Sequence, residues 1–234
     1  MERDRISVAF TTFNRTDLLY DAVLPFILDE RVGEIVIVDD HSPDENIYHN
    51  IVWKYTGVEK VKVFRNGENL DCYRNKRQAV KRCSFDWVLL LDSDNVFSKE
   101  FIDAFWNLER DPSVAFAPEF ARPHFDFTAL SGKKIDRSNI AALLNVGSCS
   151  TMLNAMNYFF NRDEFMRVWD GSQDPVTSDS IFHNYNWLKG NNSIYVVPGM
   201  QYNHRVHEGS HYRQNVKRTP QGFHDQVIEK LKAL

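Results

Sequence analysis

The chain is poor in cysteine, with three in 234 residues (Cys72, Cys83 and Cys149). An odd number without metal-type spacing argues against a disulfide scaffold or a thiolate metal site, and suits reduced thiols. Long apolar runs are missing, so no signal peptide and no integral membrane segment is visible. An excess of positive charge is missing too: 28 Lys and Arg face 32 Asp and Glu, for a net charge of -4. That balance argues against nucleic acid as a partner. Glycine is absent from residues 11–16, where a glycine-cradled phosphate loop would need it. Repeats and low-complexity tracts are lacking. These absences leave a cytoplasmic globular protein as the expectation, with peripheral attachment to a membrane left open and the oligomeric state unread. What is present is apolar content of 43% with 13% aromatic residues, enough for a substantial core.

Apolar runs predict strands over 6–11, 34–38, 61–64, 87–91 and 114–117. Helical patterns separate them over 16–29, 44–55, 71–83 and from Ser98 to near Arg110. Such alternation predicts βαβ units and a mostly parallel sheet. Beyond Pro118 the regularity fades. Residues 118–136 read as loop and 137–145 as a short helix; 147–153 reads as a strand, and 161–169 and 177–188 as helices. A late strand over 194–197 is expected to stop at Pro198, and a tail helix falls within 221–234.

The chemistry concentrates at strand ends. Val88-Leu89-Leu90-Leu91 runs straight into Asp92-Ser93-Asp94. Four apolar residues in a row read as a strand buried on both faces. Two carboxylates at i and i+2 repel each other unless a cation neutralises them. At the carboxyl end of a parallel strand they lie where open α/β sheets bind ligands. A divalent cation that also holds a phosphate-bearing ligand is the simplest reading. The first strand ends in Thr11-Thr12-Phe13-Asn14-Arg15 and the second in Asp39-Asp40-His41-Ser42. Asp39 or Asp40 can accept a hydrogen bond from a base or bind a ribose hydroxyl, and the fork of Arg74 suits a phosphate. Taken singly, each is also an ordinary cap or turn residue; their convergence on one sheet edge points to a site.

These segments resemble the GT-A fold glycosyltransferases, specifically the large inverting family 2. The resemblance rests on Ser7 to Arg15, on Ile35 to Ser42, on Asn69 through Arg74-Asn75, and on Leu89 to Asp94, which matches the family's DxD motif. It is close over residues 5–110 and looser beyond. It implies an α/β fold of the GT-A (Rossmann-like) three-layer α/β/α type with a mostly parallel central sheet. It implies a single catalytic domain over 1–234: a nucleotide-sugar-binding half (1–117), an acceptor-binding and catalytic half (118–220) and a C-terminal helix (221–234). The implied reaction moves a hexosyl or deoxyhexosyl group from a nucleoside-diphosphate sugar, with UDP the expected nucleotide, to a glycan or other hydroxyl acceptor, with inversion.

The resemblance also implies roles. Thr11, Phe13 and Arg15 line the nucleotide pocket; Asp40, beside Asp39, contacts the base; Arg74 approaches base or diphosphate. Asp92 and Ser93 meet the nucleotide-sugar. Asp94, with Asp92 beside it, meets Mn2+ or Mg2+, whose task is to neutralise charge on the departing diphosphate. The family's base opens a later helix, and Asp179 falls on that position, although Ser178 replaces the usual preceding glutamate and Asp174 competes. His204, after the late strand, matches the family's metal-binding histidine, with His207 as its rival. Trp169 and Asp170 are expected at the acceptor pocket. The other aromatic residues of the second half, among them Phe125 and Phe127, divide between core and acceptor site.

Three alternatives stand beside this reading. A sugar-nucleotide pyrophosphorylase would need the missing glycine-rich loop. A non-catalytic sugar-binding module would keep the fold without the base. His207-Glu208-Gly209-Ser210-His211 matches the HExxH zinc-hydrolase motif. That motif works only on a helix, where both histidines share a face, and its Gly-Ser interior disfavours one. The segment is read instead as a loop closing over the diphosphate, with Lys217 and Arg218.

Overall fold

The computed structural model describes residues 5–171, 179–206 and 222–234. Its strands are β1 (Ile6–Thr12), β2 (Val32–Asp39), β3 (Val61–Arg65), β4 (Trp87–Asp92), β5 (Val114–Arg122), β6 (Phe125–Asp126), β7 (Lys134–Ile135), β8 (Tyr158–Asn161) and β9 (Ser193–Asn203). Its helices are α1 (Asp17–Ile27), α2 (Glu45–Lys54), α3 (Asp71–Lys81), α4 (Lys99–Trp106), α5 (Ile140–Leu143), α6 (Cys149–Leu153), α7 (Arg162–Arg167), α8 (Asp179–Lys189) and α9 (Phe223–Lys232).

The strands form one sheet in the order β3-β2-β1-β4-β8-β5-β9-β7, with β6 paired to β5. β1 pairs in parallel with β2 and β4, β2 with β3, and β5 with β9. β8 runs antiparallel between β4 and β5. Six strands therefore point one way, and β1, β2, β3, β4, β5 and β9 all end on the same edge. The aliphatic stretches Ile35–Val38 and Val88–Leu91 are fully buried, as expected of strands covered on both faces.

The alternating elements of the first half appear as expected. The second half departs from the expectation in three places. Where a strand is expected over 147–153, residues 149–153 form helix α6: Cys149, Met152 and Leu153 are buried at i, i+3 and i+4, a helical spacing. β5 does not stop at Ala117, nor β9 at Val197; both continue past their prolines, so part of 118–136 is strand rather than loop. Pro118 pairs with Val197 and Phe120 with Gln201, so a bulge sits where both prolines fall. Proline lacks the N–H that a regular ladder needs, and a bulge removes that demand. Glu119 stitches the bulge, accepting hydrogen bonds from Gly199 N (2.8 Å) and Ser131 Oγ (2.6 Å). Third, the buried run Tyr158-Phe159-Phe160 is an internal strand that the sequence pattern did not reveal.

Candidate active site

The strand ends open into a cavity of about 1370 Å3. Its lining includes Thr11, Phe13 and Arg15 after β1, Asp40 after β2, and Asp92, Ser93 and Asp94 at the end of β4, together with Asp179 and His204. Register explains the convergence: Thr12 pairs with Asp39, and Thr11 with Asp92. The loops beyond these ends bend without glycine. Asn14, His41 and Asp71 each adopt a positive φ (53°, 60° and 58°), a conformation costly for residues with a Cβ and concentrated at functional sites.

Asp39 and Asp40 separate cleanly, as adjacent strand residues do. Asp39 is fully buried and does not line the cavity. It accepts hydrogen bonds from Ser42 N (3.1 Å) and Ser42 Oγ, and pairs with Arg65 at 3.5 Å. Ser42 Oγ in turn accepts from Asn14 N at 2.9 Å, which ties the first loop to the second. Asp40 faces the cavity and accepts from Asn66 Nδ2 (2.8 Å) and Leu70 N (2.9 Å). Burial outweighs those bonds and pushes its carboxyl up to about 6.

The β4 carboxylates meet two cations of the chain. Asp94 pairs with Arg15 at 2.8 Å and Asp92 with Lys76 at 3.5 Å. Asp92 N donates to Asn157 Oδ1 (2.9 Å), just ahead of antiparallel β8, which enters at this edge. Val96 and Asn203 exchange backbone hydrogen bonds of 2.9 Å each, clipping the segment after β4 to the end of β9. This clip brings His204 into the cavity. His204 N donates to Arg122 O (2.7 Å), and its Nδ1 faces Nδ1 of His124 at 3.0 Å.

Asp92, Asp94 and His204 offer hard oxygen and imidazole donors, which suit Mn2+ or Mg2+. Among the described residues no three His, Cys, Asp or Glu are gathered closely enough to hold an ion by themselves. Such a cation usually takes phosphate oxygens and water as further ligands, and the chemistry of these three side chains is compatible with that.

The structure sets other expected residues apart. Arg74 does not line the cavity; its Nε donates to Leu70 O, at the cap of its own helix, at 2.9 Å. Trp169 and Asp170 do not line it either. The Trp169 ring stacks on Tyr73 at 4.0 Å, Arg77 lies over it at 5.7 Å, and the Tyr73 hydroxyl reaches Asp170 at 3.4 Å. The aromatic lining comes instead from Phe13, Phe125, Phe127 and Tyr202. Asp174, Ser178, His207, the HExxH segment, Lys217 and Arg218 lie outside the described residues.

One central residue escaped sequence reasoning. Lys76 is buried, lines the cavity, and places Nζ 2.6 Å from Asp179 Oδ2. Burial works against its charge, but the carboxylates of Asp179 and Asp92 outweigh burial and hold the proton more tightly than in a free lysine. Its position inside the basic run Arg74-Asn75-Lys76-Arg77 hides it; only the apolar spacing of Tyr73, Ala79 and Val80 marks the buried face.

Residues 7–134 match the family described as "Glycosyl transferase family 2". The poly(ribitol-phosphate) beta-N-acetylglucosaminyltransferase TarP of Staphylococcus aureus (strain N315) is 28% identical over 111 residues, 46% of this chain and 33% of that protein. The chain therefore matches about a third of the length of that curated relative. Among solved structures, S. aureus TarS 1-349 in complex with UDP-GlcNAc superposes with a TM-score of 0.68 at 17% identity, covering 97% of this chain and 71% of that one. The mannosyltransferase PcManGT of Pyrobaculum calidifontis, in complex with GDP-Man and Mn2+, gives 0.65 at 15% identity, covering 98% and 69%. At these identities the superpositions establish the fold, a mixed α/β arrangement around a mostly parallel sheet.

Proposed function

The chain belongs to glycosyl transferase family 2, and from that premise we propose that it transfers a sugar from a nucleoside-diphosphate donor to a hydroxyl acceptor by direct displacement with inversion. The observation that carries this reading is the convergence of Asp40, Asp92, Asp94 and Asp179 on one cavity at the carboxyl edge of the sheet. The proposed donor is UDP-linked, and UDP-GlcNAc is the first to test. TarP's name and the TarS complex support that choice.

Asp40 would accept the base's N–H, and Thr11 and Phe13 would flank the nucleotide. Asp92 would meet the ribose, and Arg15 would offer its guanidinium to the diphosphate. Asp94 and His204 would hold Mn2+ or Mg2+, which supplies charge neutralisation for the leaving diphosphate. In the transfer, the acceptor oxygen forms a bond to the anomeric carbon as the carbon–oxygen bond to phosphate breaks. The bonding pair leaves with UDP, and the acceptor's proton passes to the Asp179 carboxylate. The acceptor is a glycan or other hydroxyl compound, for which the exposed Phe125 offers an apolar face to a sugar ring.

The test is UDP release from UDP-GlcNAc with Mn2+, with water or an added glycan as acceptor. Asp179→Asn is expected to lower kcat about 10²–10⁴-fold while UDP binding, followed by calorimetry, stays close to that of the native protein. Turnover unchanged in Asp179→Asn removes the base assignment. No turnover with any nucleotide-sugar, with binding intact, favours a sugar-binding module.

A further inference from the structure

Lys76 joins two parts of the cavity that lie far apart in the chain. Helix α3 packs on β1, β2 and β4 and also meets α8, so a side chain on its buried face can reach both the end of β4 and the start of α8. Lys76 does so. Its Nζ lies 2.6 Å from Asp179 Oδ2, 3.3 Å from Ser180 Oγ and 3.5 Å from Asp92 Oδ1. An ammonium group carries three donors and no acceptor, and here three acceptors from two segments surround it.

Stability alone is a poor account of this arrangement. Removing Lys76 and the Asp179 carboxylate from water costs about as much as their attraction returns, and apolar replacements of such pairs are often neutral or stabilising. Lys76 is also a wall of the cavity, between the proposed ribose contact and the proposed base.

We propose that Lys76 is a positioning residue of the transfer reaction, fixing the Asp179 carboxylate relative to Asp92 so that donor and acceptor ends of the cavity are held in register. The proposal rests on the reading of Asp179 as base. Lys76 touches neither the acceptor proton nor the anomeric carbon; it acts through Asp179. Its loss leaves the Asp179 carboxylate without the ammonium that holds it, and a displacement of about 1 Å at a reacting group costs about 10²-fold in rate.

The experiment measures UDP release from UDP-GlcNAc with Mn2+ in the native chain, Asp179→Asn, Lys76→Met and Lys76→Arg, with calorimetric UDP affinity beside it. Lys76→Met is expected to lower kcat about 10²-fold, with the donor KM and UDP affinity changed by less than about threefold. Lys76→Arg, which restores the charge, is expected to recover about tenfold over Lys76→Met. Native kcat in Lys76→Met, or Lys76→Arg no better than Lys76→Met, overturns the proposal. So does a loss of UDP affinity in Lys76→Met as large as its loss of kcat. If Lys76→Met fails to fold, the double variant Lys76→Met/Asp179→Asn replaces it. Its kcat must then equal that of Asp179→Asn alone, and a further tenfold loss overturns the proposal. Activity retained by Asp179→Asn defeats the base reading instead, and that result is read from the single variant.

Discussion

Asp40 illustrates how one residue's surroundings set its use. Its carboxyl is pushed up to about 6 by burial against only two donors. Above that pH it is a carboxylate and can accept a base N–H; below it, it is a neutral acid. UDP affinity is therefore expected to be constant above about pH 7 and to fall by about tenfold per unit well below pH 6. Asp40→Asn should bind UDP more weakly and without that acid limb, which calorimetry between pH 5 and 8 will show. Stability runs the other way. A carboxyl raised from 3.8 to about 6 leaves the folded chain holding more protons between those values. Its contribution is complete below 3.8 and is lost as pH rises through 6.

Much of the site is legible residue by residue, because Asp40, Asp92 and Asp94 each end an apolar strand. Choosing between Asp39 and Asp40 required the register, which turns Asp39 inward to Ser42. Lys76 was not legible, since its burial depends on α3 meeting α8, a contact across 103 positions. Arg74 and Trp169 were credible by residue type, but local partners engage both: Leu70 O for the first, Tyr73 and Arg77 for the second.

Among the elements, α8 carries the sharpest conflict between local chemistry and packing. Nine of its eleven residues are buried, polar ones included. His183 is fully buried, stacked on Phe165 at 4.1 Å, and neither ring nitrogen has a hydrogen-bond partner among the described residues. Burial, reinforced by the charge of Lys76, pushes its imidazole down to about 3. Because the folded chain resists that proton, its contribution to stability is present above about 6.5 and is lost as pH falls toward 3. His183→Met is close in volume and removes the unpaired polar atoms. It is expected to stabilise by about 1–2 kcal/mol at neutral pH, raising Tm by about 2–8 °C. It should also flatten the loss of stability between pH 6.5 and 4. A lower Tm in His183→Met would show that the imidazole has a partner that offsets its burial. The regular βαβ elements were readable from periodicity, whereas α6, β8 and the continuations of β5 and β9 were not. Five residues of α6 are too few to show a period, and two prolines hid strands that the bulge keeps paired.

For the whole molecule, strand direction is decisive. Six strands end on one edge, so residues from Thr11 to His204 share a single cavity although the chain between them is long. The antiparallel β8 contributes from its opposite end, bringing Asn157 to Asp92. No helix among the described residues is long and apolar enough to cross a membrane. The cavity volume, near 1370 Å3, exceeds the range of about 300–1,000 Å3 common for small-molecule sites, as the proposed joint binding of donor and acceptor requires. The proposed function requires this edge to bind a nucleoside diphosphate together with a divalent cation. Calorimetric titration of UDP with Mn2+ present, and again with the metal chelated, tests it most directly. Binding at least about tenfold tighter is expected with Mn2+, a difference abolished in Asp94→Ala. Equal affinity with and without Mn2+, or an undiminished metal effect in Asp94→Ala, would contradict it.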